Sequence, residues 1–238
     1  MNKMSGNTLL NLAKKYNYHA FMYTEYPHKS FWSKTFNSEG FKKALKALFS
    51  SQKNIPLLLY VHIPFCQTRC FYCTCHTLLT SNYEKIKNYL NFLFDEIDLL
   101  RLFFAENSAT LNFQELHIGG GSPTLLSEKE FDQLIDKIQS IVNIKNLSEF
   151  SIEIDPRRVD KDRMKYYHRK GINRISFGVQ DFDLKVQRAI NRIQPPELIE
   201  ALVSPETRKY FSHGINFDVV CGLPWQTAES IKRTFRRI

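Results

Sequence analysis

Long apolar runs are missing from this chain of 238 residues. No stretch approaches the ~18 to 20 consecutive apolar residues of a membrane-spanning helix. The N-terminal sequence Met-Asn-Lys-Met-Ser-Gly also lacks the apolar stretch of a signal peptide. Because 43% of the residues are nevertheless hydrophobic, the chain can bury a substantial core. These features predict a globular cytoplasmic protein without a membrane partner, built as one large domain or as a domain with an appendage.

Cysteine is scarce and unevenly placed. Four of the five cysteines fall between positions 66 and 75, and Cys221 stands alone. A secreted domain held together by disulfides has its cysteines dispersed along the chain, so that class of protein is excluded. The concentration of thiols in one short segment indicates a metal site instead.

Acidic residues are outnumbered by basic ones, which gives a formal net charge of +9. Such an excess can serve a nucleic acid, an anionic small substrate or only the solvation of the surface. The basic residues are spread along the chain, and no recognised nucleic-acid-binding motif accompanies them. We therefore expect a solvated basic surface and no nucleic-acid partner.

The chain divides into two parts by its hydrophobic pattern. Residues 1–54 carry little strong periodicity and are predicted to form an N-terminal appendage, with short helices at Thr8–Lys15 and Phe41–Phe49. Residues 55–238 show a regular pattern that begins with the apolar run Leu57–Ile63, typical of a buried strand.

Strands and helices alternate through this second part. The predicted strands are Leu57–Ile63, Phe113–Ile118, Phe150–Ile154, Arg174–Val179 and Ile215–Val220. The predicted helices follow the capping-box sequences Ser81–Glu84 (about five turns) and Ser127–Glu130, or cover Lys161–Arg169, Asp183 to about Arg208 and the residues after Thr227. Repeated β-α units imply an α/β fold with a parallel sheet and right-handed crossovers.

The third predicted strand shows how the sheet is used. Apolar residues alternate in Phe150–Ile154, while Ser151, Glu153 and Asp155 share the opposite face. In a barrel-like sheet the apolar face meets the helices and the polar face lines the interior, where ligands bind at the carboxyl ends of the strands. The other inward polar residues are Ser176, Gln180, Asn216 and Asp218. An open doubly wound sheet is the alternative.

The cysteine loop reads Cys66-Gln-Thr-Arg-Cys70-Phe-Tyr-Cys73-Thr-Cys75. Thiolates spaced four and then three positions apart can hold three corners of an iron–sulfur cubane and leave the fourth iron open to a substrate. Structural zinc is the main alternative, although its ligands are usually split into two distant pairs. A disulfide within the loop is a weaker alternative in a cytoplasmic chain.

The spacing Cys-x3-Cys-x2-Cys after a first strand resembles the signature of radical S-adenosylmethionine (radical SAM) enzymes, which implies a partial (β/α)6 barrel with about five of six parallel strands present here. The longer string Tyr60-Val-His-Ile-Pro-Phe-Cys66, together with Cys75, resembles the family of oxygen-independent coproporphyrinogen III oxidases, also called dehydrogenases. Further segments that resemble this family, in order, are Tyr23–Pro27, His117–Thr124, Ser151–Pro156, Phe177–Phe182, Val186–Arg192 and Asp218–Pro224.

The resemblance also implies site residues, carried over position by position. The implied ligands of a [4Fe-4S] cluster are Cys66, Cys70 and Cys73. The residues implied to bind S-adenosylmethionine, in two molecules, are Tyr60, Tyr72, Cys75, Gly120, Gly121, Ser122, Glu153, Gln180, Arg192 and Asp218. Ser122 replaces the family's usual threonine but keeps a hydroxyl group. No catalytic side chain is implied beyond the cluster and the cofactor.

Structural roles remain open for several of these residues. Gly120 and Gly121 could form only a tight turn, and Glu153 could belong to a structural ion pair. Cys75 could be a small residue packed under the loop. The strand histidines His62 and His117 are expected to be core residues with satisfied hydrogen bonds.

The implied reaction is the oxidative decarboxylation of two propionates of coproporphyrinogen III, giving protoporphyrinogen IX in heme biosynthesis, with an unidentified electron donor and acceptor.

The sequence stops at Ile238, whereas the family continues for roughly as long again, and Pro205 interrupts a helical region. We therefore expect an incomplete barrel that is inactive alone unless a second polypeptide supplies the missing part. The alternatives are a related heme chaperone and an inactive metal-binding remnant.

Overall fold

The computed structural model describes six parts of the chain. They are residues 10–11, 14–15, 31–33, 35–51, 54–107 and 111–238. The chain divides into two compact units, Met1–Ser51 and Gln52–Ile238. The Tyr23–Pro27 motif lies outside the described residues, and the described residues of Thr8–Lys15 are helical. No helix in the described ranges combines the length and apolarity needed to cross a bilayer.

The first unit contains the helix α1, Ser38–Ser51, which includes the predicted Phe41–Phe49. None of the residues of α1 is buried.

The second unit is built on a parallel sheet. In chain order its strands are β1 (Pro56–Ile63), β2 (Phe65–Cys66), β3 (Leu78–Leu79), β4 (Asn112–Gly120), β5 (Glu149–Ile154), β6 (Arg174–Gln180) and β7 (Ile215–Val219). Five of them form one sheet in the order β1-β4-β5-β6-β7, and every pair is parallel. The short strands β2 and β3 form a separate parallel pair. All five predicted strands are therefore confirmed.

The strand order decides between the two architectures left open by the sequence. A doubly wound sheet reverses its strand order at one point, which places helices on both faces. In the five-stranded sheet described here, each strand after β1 lies beside the strand of that sheet that comes before it in the chain, without a reversal. Right-handed crossovers then carry the helices to one side, as in a barrel.

Seven helices of the second unit follow the described strands. They are α2 (Tyr83–Glu106), α3 (Glu128–Gln139), α4 (Lys161–Arg169), α5 (Leu184–Ala189), α6 (Pro196–Leu202), α7 (Pro205–Tyr210) and α8 (Ala228–Arg237). The helix α2 has 24 residues and exceeds the predicted five turns.

The helical region predicted from Asp183 to about Arg208 is divided into α5, α6 and α7. Pro196 and Pro205 each occupy the first turn of their helix, where the missing backbone N–H is not needed. Pro205 therefore starts a helix and does not interrupt one.

Two helix starts test the predicted caps. The capping box of Ser127 and Glu130 is present at α3. The box predicted for Ser81 and Glu84 is wrong, because the Asn82 side chain accepts a hydrogen bond from the Glu84 N–H (3.0 Å) and caps α2. Asparagine caps helices as well as serine does, so the sequence offered two candidates one residue apart.

The core lies on the helix side of the sheet. Leu116 of β4, Ile152 of β5 and Phe177 of β6 come from three neighbouring strands and are fully buried. They pack in one hydrophobic cluster with Phe131 and Leu134 of α3. Burial of each such side chain stabilises the fold by roughly 1.5–3 kcal/mol. The opposite face of the sheet carries the polar residues, as predicted.

Replacement of Leu116 by alanine is expected to lower the free energy of unfolding by about 2–5 kcal/mol, because it leaves a cavity in this core. The matched change Leu99→Ala, on a side chain that is 68% exposed on α2, is expected to cost less than about 0.5 kcal/mol. Urea titration of both variants measures the difference. Equal losses would contradict the assigned core.

Candidate cofactor site at the carboxyl ends of the strands

A cavity of about 540 Å³ lies where the strands β4 to β7 end. Twelve of the thirteen residues singled out in the sequence line it: Cys66, Cys70, Tyr72, Cys73, Cys75, Gly120, Gly121, Ser122, Glu153, Gln180, Arg192 and Asp218. They come from four strand ends and two loops that are distant in sequence. A cavity of this size holds a small molecule.

Tyr60 is the one predicted residue that does not line this cavity. Its hydroxyl group shares a hydrogen bond with His62 Nδ1 (2.8 Å), and its ring stacks on His117 at 5.7 Å between centroids. Burial, followed by the negative charge of Glu153, raises the pKa of Tyr60 to about 12. Tyr60 is therefore a neutral phenol at physiological pH.

The cysteine loop is closed at its base by the β2–β3 pair. The Leu78 N–H donates to the Pro64 carbonyl (2.7 Å), and the Thr80 N–H donates to the Cys66 carbonyl (3.0 Å). Within the loop, the Cys73 N–H donates to the Cys70 carbonyl (3.1 Å), which forms a turn. The loop thus starts and ends at the β2–β3 pair, and its cysteines line one cavity.

The thiols of the loop are all free. Burial raises the pKa of Cys66 to about 11, and the neighbouring Cys73 and Cys70 add to the shift. Burial and the nearby Cys73 likewise raise the pKa of Cys75 to about 11. Several negative sulfurs at one site repel each other unless a cation compensates them, and a metal centre with soft-ligand preference supplies that charge.

The cysteines share one position in the fold. Cys66, Cys70 and Cys73 all line the same cavity, where the three protein ligands of an iron–sulfur cluster are expected. Among the residues that the structure describes, no three His, Cys, Asp or Glu side chains are grouped as ligands of a single metal ion.

Arg192 connects the cysteine loop to the sheet. Its Nη1 donates to Cys70 Sγ (3.7 Å) and its Nη2 donates to the Gly178 carbonyl (2.8 Å) at the end of β6. The guanidinium group also lies 3.7 Å from the Asp155 carboxylate. The sequence showed only a cation in a loop, whereas the structure shows a buried side chain with four polar partners, the fourth being Gln194.

Gln194 and Gln187 hold Arg192 in place, and sequence reasoning missed both. The Gln194 amide accepts from Arg192 Nε (3.1 Å) and donates to the carbonyls of Gly178 (2.9 Å) and Val179 (2.6 Å). The Gln194 N–H in turn donates to Gln187 Oε1 (3.0 Å). Both glutamines are buried.

The glycines at the end of β4, Gly119 to Gly121, pack closely against their neighbours. A Cβ on Gly121 would lie 2.7 Å from the Phe65 carbonyl oxygen, and one on Gly119 would lie 2.9 Å from the Glu153 carboxylate. Gly120 has φ +120°, which side-chain-bearing residues rarely adopt. The glycines therefore serve a structural turn that also places Gly120 and Gly121 in the cavity wall.

Glu153 receives a hydrogen bond from the Gly120 N–H (3.1 Å) and lies 3.4 Å from His117 Nε2. His117 Nδ1 shares a second hydrogen bond with Ser151 Oγ (2.8 Å). The Glu153 side chain is still 43% exposed towards the cavity. The contact with His117 thus accounts for only part of the surroundings of the Glu153 carboxylate, and the rest of the side chain is open to the cavity.

Gln180 and Asp218 complete the polar wall. Gln180 has φ +66° at an irregularity in the β6–β7 register, where strain in a non-glycine residue often marks a functional position. Asp218 accepts hydrogen bonds from Ser176 Oγ and Asn216 Nδ2, each at 2.8 Å.

The wall also contains charged residues to which the sequence analysis gave no role. Arg157 binds Asp155 through two hydrogen bonds of 2.8 and 2.7 Å, and Arg158 and Arg69 lie exposed at the cavity. Burial opposes ionisation of Asp155, but the hydrogen bonds from Arg157 and the charge of Arg192 outweigh it and hold its pKa below the usual value. The signal for three of them was the end of β5, where Asp155, Arg157 and Arg158 follow shortly after Glu153.

Comparison with known proteins gives a match to the Radical SAM superfamily over residues 60–238. The chain belongs to the radical SAM superfamily. Membership implies a [4Fe-4S] cluster and S-adenosylmethionine, and the thiol-lined cavity fits that pair of groups.

Individual relatives are more specific than the superfamily. The chain is 40% identical over 213 residues to an oxygen-independent coproporphyrinogen III oxidase of Helicobacter pylori (strain J99), covering 89% of this chain and 46% of that one. It is 37% identical over 229 residues to the Escherichia coli (strain K12) protein of the same name, covering 96% and 48%. The chain spans about half the length of the curated relatives it matches.

A solved structure confirms the fold class of this radical SAM protein. The structure of coproporphyrinogen III oxidase (HemN) from Escherichia coli, described as a radical SAM enzyme, aligns with a TM-score of 0.80 and 34% identity, covering 96% of this chain and 49% of that one. The predicted α/β fold of the radical SAM core, with five parallel strands, is therefore confirmed.

Serine variants test the division of the five cysteines. Cys66→Ser, Cys70→Ser and Cys73→Ser are each expected to lose most of the iron bound after anaerobic reconstitution, because a serine oxygen is a poor ligand for this soft site. Cys75→Ser and Cys221→Ser are the matched controls and should keep the iron content of the parent protein. Iron and sulfide analysis gives the readout. Loss of iron from Cys75→Ser equal to that from Cys73→Ser would refute the division.

Proposed function

We propose that residues 55–238 form the cofactor-binding core of an oxygen-independent coproporphyrinogen III oxidase, an oxidoreductase, with residues 1–54 as its N-terminal appendage. The reaction is the oxidative decarboxylation of two propionate side chains of coproporphyrinogen III to vinyl groups, which yields protoporphyrinogen IX for heme biosynthesis. One observation carries the proposal: the three proposed cluster ligands share a cavity with the carboxylates, amide and guanidinium group proposed to bind S-adenosylmethionine. The names of the relatives with 37–40% identity supply the substrate.

Cys66, Cys70 and Cys73 would hold the cluster and leave its fourth iron to S-adenosylmethionine. When bound, the two groups supply the one-electron chemistry that removes a hydrogen atom from a propionate side chain. The carboxylates of Glu153 and Asp218 suit the positive groups of the cofactor.

The other proposed cofactor contacts are chemically complementary. Gly120 and Gly121 bring backbone within reach of a ligand, and Ser122 contributes a hydroxyl group at the same turn. Tyr72 and Gln180 line the remaining wall. A second S-adenosylmethionine molecule is part of the proposal, with Cys75 and Tyr60 placed on its side of the site.

The cavity wall also suits a substrate with four carboxylates. Arg69 and Arg158 are exposed at the cavity, and no described carboxylate forms an ion pair with either of them. Guanidinium groups bind carboxylates with two parallel hydrogen bonds. We assign Arg69 and Arg158 to the propionates that are not in reaction.

The free thiols agree with a cytoplasmic location, where cysteines remain reduced. The electron acceptor and any second polypeptide are left unassigned.

The experiment is anaerobic reconstitution of the chain, followed by incubation with dithionite and S-adenosylmethionine. The expected product is 5'-deoxyadenosine, and addition of coproporphyrinogen III should give carbon dioxide and protoporphyrinogen IX. A chain with a full cluster that makes no 5'-deoxyadenosine would overturn the assignment. Tight heme binding without turnover of coproporphyrinogen III would favour a heme chaperone.

Glu153→Gln tests the cofactor contact. Loss of the negative charge is expected to raise the KM for S-adenosylmethionine about tenfold or more, since a hydrogen bond to a charged group contributes about 1.5–3 kcal/mol. Glu115→Gln, an exposed residue on β4 outside the cavity, is the matched control and should leave the KM unchanged. Initial rates of 5'-deoxyadenosine formation decide the matter, and an unchanged KM in Glu153→Gln would exclude the contact.

A further inference from the structure

Two segments of the chain, residues 184–193 and 220–226, pack against the cysteine loop, residues 66–75. We call the common surface of these three segments the loop face. The Phe71 N–H donates to the Ile190 carbonyl (3.0 Å), and Asn191 Nδ2 donates to the Arg69 carbonyl (2.8 Å). A separate small hydrophobic cluster packs the segments together: Val186, Ile190 and Leu223, with Tyr72 and Val220 against them. The three segments are therefore held together as one packed surface.

Large apolar side chains are exposed on the loop face. Phe71 is 73% exposed, Trp225 65%, Ile193 54% and Leu184 47%. Single exposed apolar residues are common, but these four lie on three segments that pack together, and exposed apolar residues concentrated in this way mark interaction sites. The Lys185 ammonium group lies 4.0 Å from the centre of the Trp225 ring, so a positive charge lies beside one of these apolar residues.

Carboxylates are missing from the segments that form this surface. The sequence has no Asp or Glu in residues 64–83, 184–196 or 219–228. Lys185 and Arg188 are exposed there, and neither forms an ion pair with any described residue. The flanking carboxylates of Asp183 and Glu197 are already paired, with Arg233 and Arg237. The loop face thus presents uncompensated positive charge around an apolar centre.

We propose that the loop face is the docking site for a small acidic electron-carrier protein that reduces the cluster. The inference rests on the proposed function, because it requires the cluster on Cys66, Cys70 and Cys73. Phe71, the most exposed of the four apolar residues, is joined by a peptide bond to Cys70. A partner seated there would stand directly over the proposed cluster loop.

The form of the surface matches the needs of such a partner. Electron-transfer complexes are transient and have small interfaces. Complementary charge speeds their encounter and orients the partners, while a few apolar contacts complete the fit. An acidic carrier meets the charges of Lys185 and Arg188, and its apolar rim meets Phe71 and Trp225.

The transfer moves one electron and no atom. The reduced carrier loses one electron, and the cluster gains it, passing from [4Fe-4S]2+ to [4Fe-4S]+. No bond forms between the two proteins, and the oxidised carrier leaves.

The test compares two charge-reversed variants of the reconstituted chain. Lys185→Glu with Arg188→Glu changes the loop face, and Lys129→Glu with Lys145→Glu makes the same change in net charge at exposed positions elsewhere. The probes are a flavodoxin and a ferredoxin, both acidic. Binding is measured at low salt without S-adenosylmethionine or substrate, and cluster reduction is followed by rapid-mixing spectroscopy with the reduced carrier or with dithionite.

The loop-face variant is expected to bind at least one carrier about tenfold more weakly than the parent and to be reduced by it correspondingly more slowly. The control variant should stay within about twofold of the parent, and dithionite should reduce all three equally. Trp225→Ala, which keeps the charge, is expected to weaken binding about threefold or more.

Two results would overturn the proposal: failure of both carriers to bind the parent protein, or equal weakening in the loop-face and control variants. Failure of the proposed function has a different signature. The carrier would still bind the loop face, but dithionite-reduced protein would form no 5'-deoxyadenosine.

Discussion

The buried guanidinium group of Arg192 joins the parts of the site that the chain keeps far apart in sequence. One nitrogen contacts Cys70 Sγ at 3.7 Å, and another donates to the Gly178 carbonyl at the end of β6. A buried cation is costly unless it is paired and its hydrogen bonds are satisfied. Asp155 supplies the charge at 3.7 Å, and Gln194 fixes the orientation. The cysteine loop therefore has a defined position relative to the strand ends before any cofactor binds.

The same constraint explains the composition of the cavity wall. The carboxylate of Asp155 is kept ionised by Arg157 and Arg192. Its negative charge therefore balances the positive charges of arginines within the protein itself. Glu153 and Asp218 remain partly exposed and line the cavity. This division of acids, one structural and two at the cavity, agrees with the proposed site for a positively charged cofactor. The loop face depends on the same packing. Ile190 and Asn191, which immediately precede Arg192 in the chain, form hydrogen bonds with the cysteine loop.

Much of this could be predicted from the sequence because the relevant signals are local. Alternation within Phe150–Ile154 indicates both faces of β5, and the spacing of Cys66, Cys70 and Cys73 indicates a shared metal. Gln194 gave no such signal, since its partners are backbone carbonyls on a distant strand and any residue type can supply those. The cap prediction failed for a different reason: Ser81 and Asn82 are adjacent and both are good capping residues, and the structure has Asn82 as the cap.

The central claim is that three cysteines hold a four-iron cluster whose fourth iron is open to S-adenosylmethionine. Electron paramagnetic resonance of the reconstituted, dithionite-reduced chain tests it most directly. The account predicts about four irons per chain and a [4Fe-4S]+ signal that changes when S-adenosylmethionine is added, because the cofactor binds the open iron. A cluster signal that S-adenosylmethionine leaves unaltered, or a protein that takes up zinc and no iron–sulfur cluster, would contradict it.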